Sequence, residues 1–111
     1  MIPFAVSFGF RVMDALRSRD LAPLAAYMTP RIREDLEHIL AAPEHPLHRA
    51  ILAYKQSVQA RRKGDRAMVR FGELAGDELA VILLDLPPTG VQLLGLASVA
   101  RAEFERFGRV E

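Results

Sequence analysis

The sequence predicts an α+β domain: three N-terminal helices packed on one face of a four-stranded antiparallel meander sheet. Three observations predict it. Apolar residues recur at helical spacing at Phe4, Phe8, Val12 and Leu16, and again at Ile32, Leu36, Ile39 and Leu40. After position 60 the punctuation changes, and Gly64-Asp65, Gly76-Asp77 and Pro87-Pro88-Thr89-Gly90 separate apolar runs at similar intervals, the rhythm of a meander. The run Val81, Ile82, Leu83, Leu84, Leu86 is apolar on both faces of a strand, so that strand is covered on both sides.

The first helix begins near Pro3, where the missing proline N–H costs nothing. Val6, Phe10 and Met13 widen its apolar stripe, and Ser7, Arg11, Asp14 and Ser18 leave only a narrow polar seam. A helix apolar around most of its girdle is covered on more than one side. Arg11 and Asp14 then face either a cavity or the solvent edge. Asp20 caps a short second helix, LAPLAAYM, with Pro23 inside its first turn. Thr29-Pro30 repeats the start signal for a third, amphipathic helix that stops near Ala41-Ala42-Pro43.

A connector over 43–52 leads to strands expected at about 53–62, 66–75, 78–86 and 91–99. The segment RAILAYKQSVQARR leaves helix or strand open over 46–55. The tail over 100–111 places Phe104 and Phe107 three apart among charges, a helical turn that docks on the body or on a partner subunit. The 111 residues therefore form one domain. Burying the five aliphatics of the third strand contributes at most roughly 7–15 kcal/mol before entropy is subtracted.

Fifteen basic and fourteen acidic side chains leave a net charge of +1, which argues against wholesale binding to nucleic acid or membrane. With no cysteine, disulfides, thiolate metal sites and cysteine nucleophiles are excluded, and a reducing cytoplasm is the expected compartment. The N-terminal apolar stretch lacks a basic n-region and meets Arg11 and Asp14 too soon to span a membrane.

FRVMDALRSRDLAPLAAYMTPRI resembles the opening helices of the nuclear transport factor 2-like superfamily, which has the cone-shaped cystatin-like fold. KGDRAMVRF and GVQLLGLASV are similar to that family's strands. The resemblance implies a pocket inside the cone and a homodimer formed through the outer face of the sheet. It also implies that an enzyme of this kind works through pocket carboxylates, as ketosteroid isomerase does.

The candidate site residues follow from these readings. Asp85 is a pocket acid or base, or else an organiser of the Pro-Pro-Thr-Gly turn. The turn reading is favoured, because aspartate is a common turn residue and no tyrosine or histidine accompanies it at motif spacing. If the chain is an enzyme, Asp85, Tyr54 and His38 are its catalytic candidates. If it holds a small apolar ligand, Phe8, Arg11, Tyr27 and Phe71 are the lining candidates, although Phe8, Phe10, Met13 and Phe71 can equally fill the cone themselves. Arg61, Arg62 and Lys63, with Arg66 and Arg70, offer a basic hairpin to phosphate. No aromatic residue interleaves them, so a solvated turn is favoured and nucleic acid is not the expected partner.

His38, His45 and His48 near Glu34, Glu37 and Glu44 match no metal-ligand spacing, and pairing with Glu34 accounts for His38. No metal or cofactor is expected. No phosphate loop, dinucleotide fingerprint or nucleophile elbow occurs. The leading expectation is a non-catalytic binding or protein-interaction domain. The alternatives are a pocket acid/base enzyme of isomerase or dehydratase type and a phosphate contact through 61–70.

Overall fold

A computed structural model describes residues 4–45, 47–48, 51, 58–71, 79–86, 90–99 and 101–110. Helix α1 spans Phe4–Ser18, a 3-10 helix spans Ala22–Tyr27, and α2 spans Pro30–Ala41. Strands β1 (Val58–Lys63), β2 (Arg66–Phe71), β3 (Leu79–Leu86) and β4 (Gly90–Ala97) follow, then a short helix α3 (Arg101–Glu105) and a two-residue strand β5 (Arg109–Val110). The strands form a single antiparallel sheet in the order β4-β3-β2-β1-β5. The α+β class stands, with two corrections: two long helices instead of three, and five strands instead of four.

Both corrections have local causes. The 3-10 helix is the segment expected as the second helix. Its six residues lie between the end of α1 and Pro30, too few to offset the nucleation cost of an α-helix. Asp20 Oδ1 accepts a hydrogen bond from the Ala22 N–H at 3.1 Å, but the N-cap position is Leu21, whose side chain makes no capping bond. The fifth strand is too short to show any periodicity in sequence. The first strand is described from Val58, and its expected start near 53 lies outside the described residues, whereas residues 47, 48 and 51 have helical backbone inside the expected connector.

Helix α1 ends in a Schellman pattern. Asp20 N–H reaches the Ala15 carbonyl and Arg19 N–H the Leu16 carbonyl, with Arg19 itself at φ 59°. Thr29 caps α2 by accepting from the Ile32 N–H at 3.3 Å, and Pro30 takes the first helical position.

Alternation sorts the strand residues. Ala60, Ala67, Val69, Phe71, Val81, Leu83 and Leu93 face the helices and are buried. Against them lie Ala5, Phe8, Val12, Met13 and Leu16 of α1, with Leu24, Leu36 and Ile39 from the following elements. The broad apolar girdle of α1 is thus explained: α1 packs across β1, β2 and β3 on one side and against the 3-10 helix on another. Gly9 lets it approach closely, since a Cβ there would stand 2.9 Å from Val69 Cγ1 and 3.2 Å from Phe71 Cζ. In β4, Gly95 pairs with Ile82 and Leu93 with Leu83, so Leu94 is the extra residue of a bulge.

The opposite face of the sheet has a second, smaller core. Phe104, 1% exposed, packs with Ala80 and Val99 beside the half-buried Met68 and Ala97. The chain's own tail therefore docks on the body and covers part of the face that the sequence reading gave to a second copy. Arg61 pins this tail. Its Nε donates to the Phe107 carbonyl at 2.9 Å, its terminal nitrogen to the Gly108 carbonyl at 3.2 Å, and its guanidinium lies over the Phe104 ring. Among the described residues no helix is long and apolar enough to cross a membrane.

Candidate functional site

An open cleft of about 280 Å³ lies where the end of the 3-10 helix meets the β3–β4 hairpin. Residues 26–29 form one wall, and Leu84 with 90–92 forms the other. Tertiary structure alone assembles it, because the two walls are distant in sequence. The Thr29-Pro30 stop-and-start ends the 3-10 helix and turns the chain into α2, which puts Met28 and Thr29 in extended backbone beside β4. Its polar side chains are the Tyr27 phenol, the Thr29 hydroxyl and the Gln92 carboxamide, and no charged side chain lines it among the described residues.

Three of the four expected ligand residues come together at the Tyr27 end. The Arg11 guanidinium lies 5.3 Å from the Tyr27 ring centroid and 5.9 Å from that of Phe8. Its terminal nitrogen makes a long contact of 3.5 Å with the Tyr27 hydroxyl. Phe8 and Tyr27 meet edge to face at 5.3 Å, and the exposed Phe4 stacks on Phe8. Arg11 and Asp14 both lie on the solvent edge of α1, which decides between the two positions the polar seam left open. Phe8 is 0% exposed and belongs to the core. Phe71 is also buried, edge to face with Phe10 at 5.5 Å, away from the cleft lining. Phe8, Met13 and Phe71 thus fill the space between helices and sheet.

Asp85 stands in β3 opposite Val91, one residue beyond Leu84, so its backbone belongs to the strand pair that forms the cleft wall. Its side chain lies outside the described part of the structure, as do Tyr54 and the residues of the Pro-Pro-Thr turn. His38 is exposed on α2, and the ion pair on that helix joins Arg33 to Glu37 at 3.1 Å instead of Glu34 to His38.

The other two histidines have structural partners at the end of α2. His48, buried, contacts the Ile39 carbonyl through Nδ1 at 3.2 Å; a carbonyl only accepts, so Nδ1 carries the proton. His45 Nδ1 accepts from the Leu47 N–H, which places the proton of the neutral ring on Nε2. Among the described residues no group of three metal-ligating side chains converges. Of the basic hairpin, Arg61 is engaged with the tail, while Lys63 and Arg66 are exposed at the Gly64-Asp65 turn.

Sequence reading did not find Thr29, Gln92 and the backbone of 90–91 as lining residues. Only the Thr29-Pro30 cap carried a signal, and it reported a helix start. No protein-family profile, curated protein or solved structure matches the chain.

Proposed function

We propose that this chain is a non-catalytic binding domain, related in architecture to the nuclear transport factor 2-like proteins, that acts through its rim cleft and through contact with a second copy. The observation that carries this reading is where the space lies. Phe8, Met13, Leu16, Leu83 and Leu93 fill the region between helices and sheet to 1% exposure or less. The concavity at the rim offers a phenol, a hydroxyl and a carboxamide, and among its described lining no carboxylate or imidazole for acid/base work. Neutral hydrogen-bonding groups beside Leu84 and Val91 suit recognition of a small, partly apolar molecule.

The second copy is favoured on the outer face, where Ile82 stays half-buried beside Met68 at the edge of the tail's cluster. The β1–β2 side, with Lys63 and Arg66, would set like charges against each other across such a contact. The contact therefore centres on β3 and β4.

Native mass spectrometry of the purified protein tests the reading. A dimer carrying an added mass that leaves on denaturation is the expected result, and Asp85→Asn should retain both. A monomer without added mass, together with a turnover that Asp85→Asn abolishes, would replace the binding domain with an enzyme.

A further inference from the structure

We propose that the cleft binds a small carboxylate with an apolar tail, its head group held by Arg11 and the Tyr27 hydroxyl. This rests on the binding-domain reading and names the class of ligand.

Arg11 is an exposed cation whose contacts are aromatic. It lies over the Phe8 and Tyr27 rings, and among the described residues no carboxylate pairs with it. Asp14, one turn further along the same helix, is exposed yet forms no ion pair with it. The i, i+3 spacing of Arg11 and Asp14 on one helix is a spacing at which such a contact can form. The rings instead hold the guanidinium in place before any ligand arrives, and pre-organisation of this kind lowers the entropy that binding costs.

Tyr27 joins this cation to the cleft, because it both contacts Arg11 and lines the cavity. The 3.5 Å contact occupies one lone-pair direction of the phenol and leaves its O–H free to donate. A carboxylate at this end accepts from the guanidinium fork and from the phenol together, the arrangement in which hydrogen bonds to charged groups are strongest. Charge decides the polarity of the ligand. Arg11 places a positive charge at the Tyr27 end, while Leu84 and Val91 at the other wall are apolar. The head group therefore points to α1 and the tail to the β3–β4 hairpin. At about 280 Å³ the cleft falls just below the usual range for drug-sized ligands, roughly 300–1,000 Å³, so the tail is short.

The test is a nuclear magnetic resonance titration of the full chain with hexanoate and, separately, with hexan-1-ol. Hexanoate should shift the amide signals of 26–29 and 90–92 saturably. Arg11→Gln, a change on the solvent edge of α1, should weaken hexanoate about tenfold while leaving the rest of the spectrum in place. Tyr27→Phe should weaken it less, and hexan-1-ol should bind the native protein no better than hexanoate binds Arg11→Gln. Equal affinities for hexanoate and hexan-1-ol, or no effect of Arg11→Gln, overturn the carboxylate assignment while the cleft remains a binding site. No shift at 26–29 or 90–92 with either probe overturns this inference and removes the cleft from the function proposed above.

Discussion

Replacing Gly9 with alanine sets two effects of similar size against each other, and the structure says which wins. In a helix interior the change from glycine to alanine is favourable by about 0.8–1 kcal/mol. Against it stands the contact of α1 with β2. The new methyl would lie 2.9 Å from Val69 Cγ1, 3.2 Å from Phe71 Cζ and 3.3 Å from Phe71 Cε2. Neither neighbour yields freely. Val69 is fully buried and stiff at χ1, being β-branched on a strand, and the Phe71 ring is buried against Phe10. Forcing a methylene into such a site costs about 1–3 kcal/mol.

The net expectation is a loss of about 1 kcal/mol. For 111 residues at about 2.1 cal/mol/K each, that lowers Tm by about 4 °C. Urea denaturation and thermal melts followed by circular dichroism read both quantities. The decisive measurement repeats Gly9→Ala in a Val69→Ala background, where the closest contact is gone. There the substitution should become neutral or stabilising, a coupling of about 1–2 kcal/mol. Two results would refute the reasoning: Gly9→Ala stabilising the native protein by its full helix-propensity gain, or destabilising it equally in both backgrounds.

Two further substitutions probe the ends of elements. Gly108 has φ 52°, and a Cβ there would overlap the Arg62 carbonyl oxygen, so Gly108→Ala should release β5 from β1 and speed tryptic cleavage after Arg106 and Arg109 roughly tenfold; cleavage at the native rate would show that β5 does not depend on this approach. Arg19 at φ 59° carries the strain of a non-glycine residue in the left-handed region, so Arg19→Gly should stabilise by about 0.5–1 kcal/mol and raise Tm by about 2–4 °C, and a lower Tm would mean that the Schellman turn is held by the arginine side chain.

Phe4 through Leu16 declared a helix buried on more than one side, Thr29-Pro30 declared the start of α2, and Gly64-Asp65 declared the β1–β2 hairpin, because each of these depends on residues close together in the chain. The helix-versus-strand choice over 46–55 was not legible for the same reason: short apolar runs suit either state, and burial decides between them. Asp85 drew attention as a lone carboxylate in an aliphatic run, and its backbone stands in β3 opposite Val91, next to the cleft-lining Leu84.

By itself the sequence determined the α+β class, the Thr29 cap of α2 and the alternation of β2 and β3, all set by local chemistry and by spacings of two to four residues. Only the tertiary structure decided that Arg61 serves the tail, that Phe104 covers part of the outer face, and that the cleft draws its walls from 26–29 and from Leu84 with 90–92. Those contacts join residues some 24 to 66 positions apart, and no short-range pattern encodes which distant surface a side chain meets once the sheet order is set.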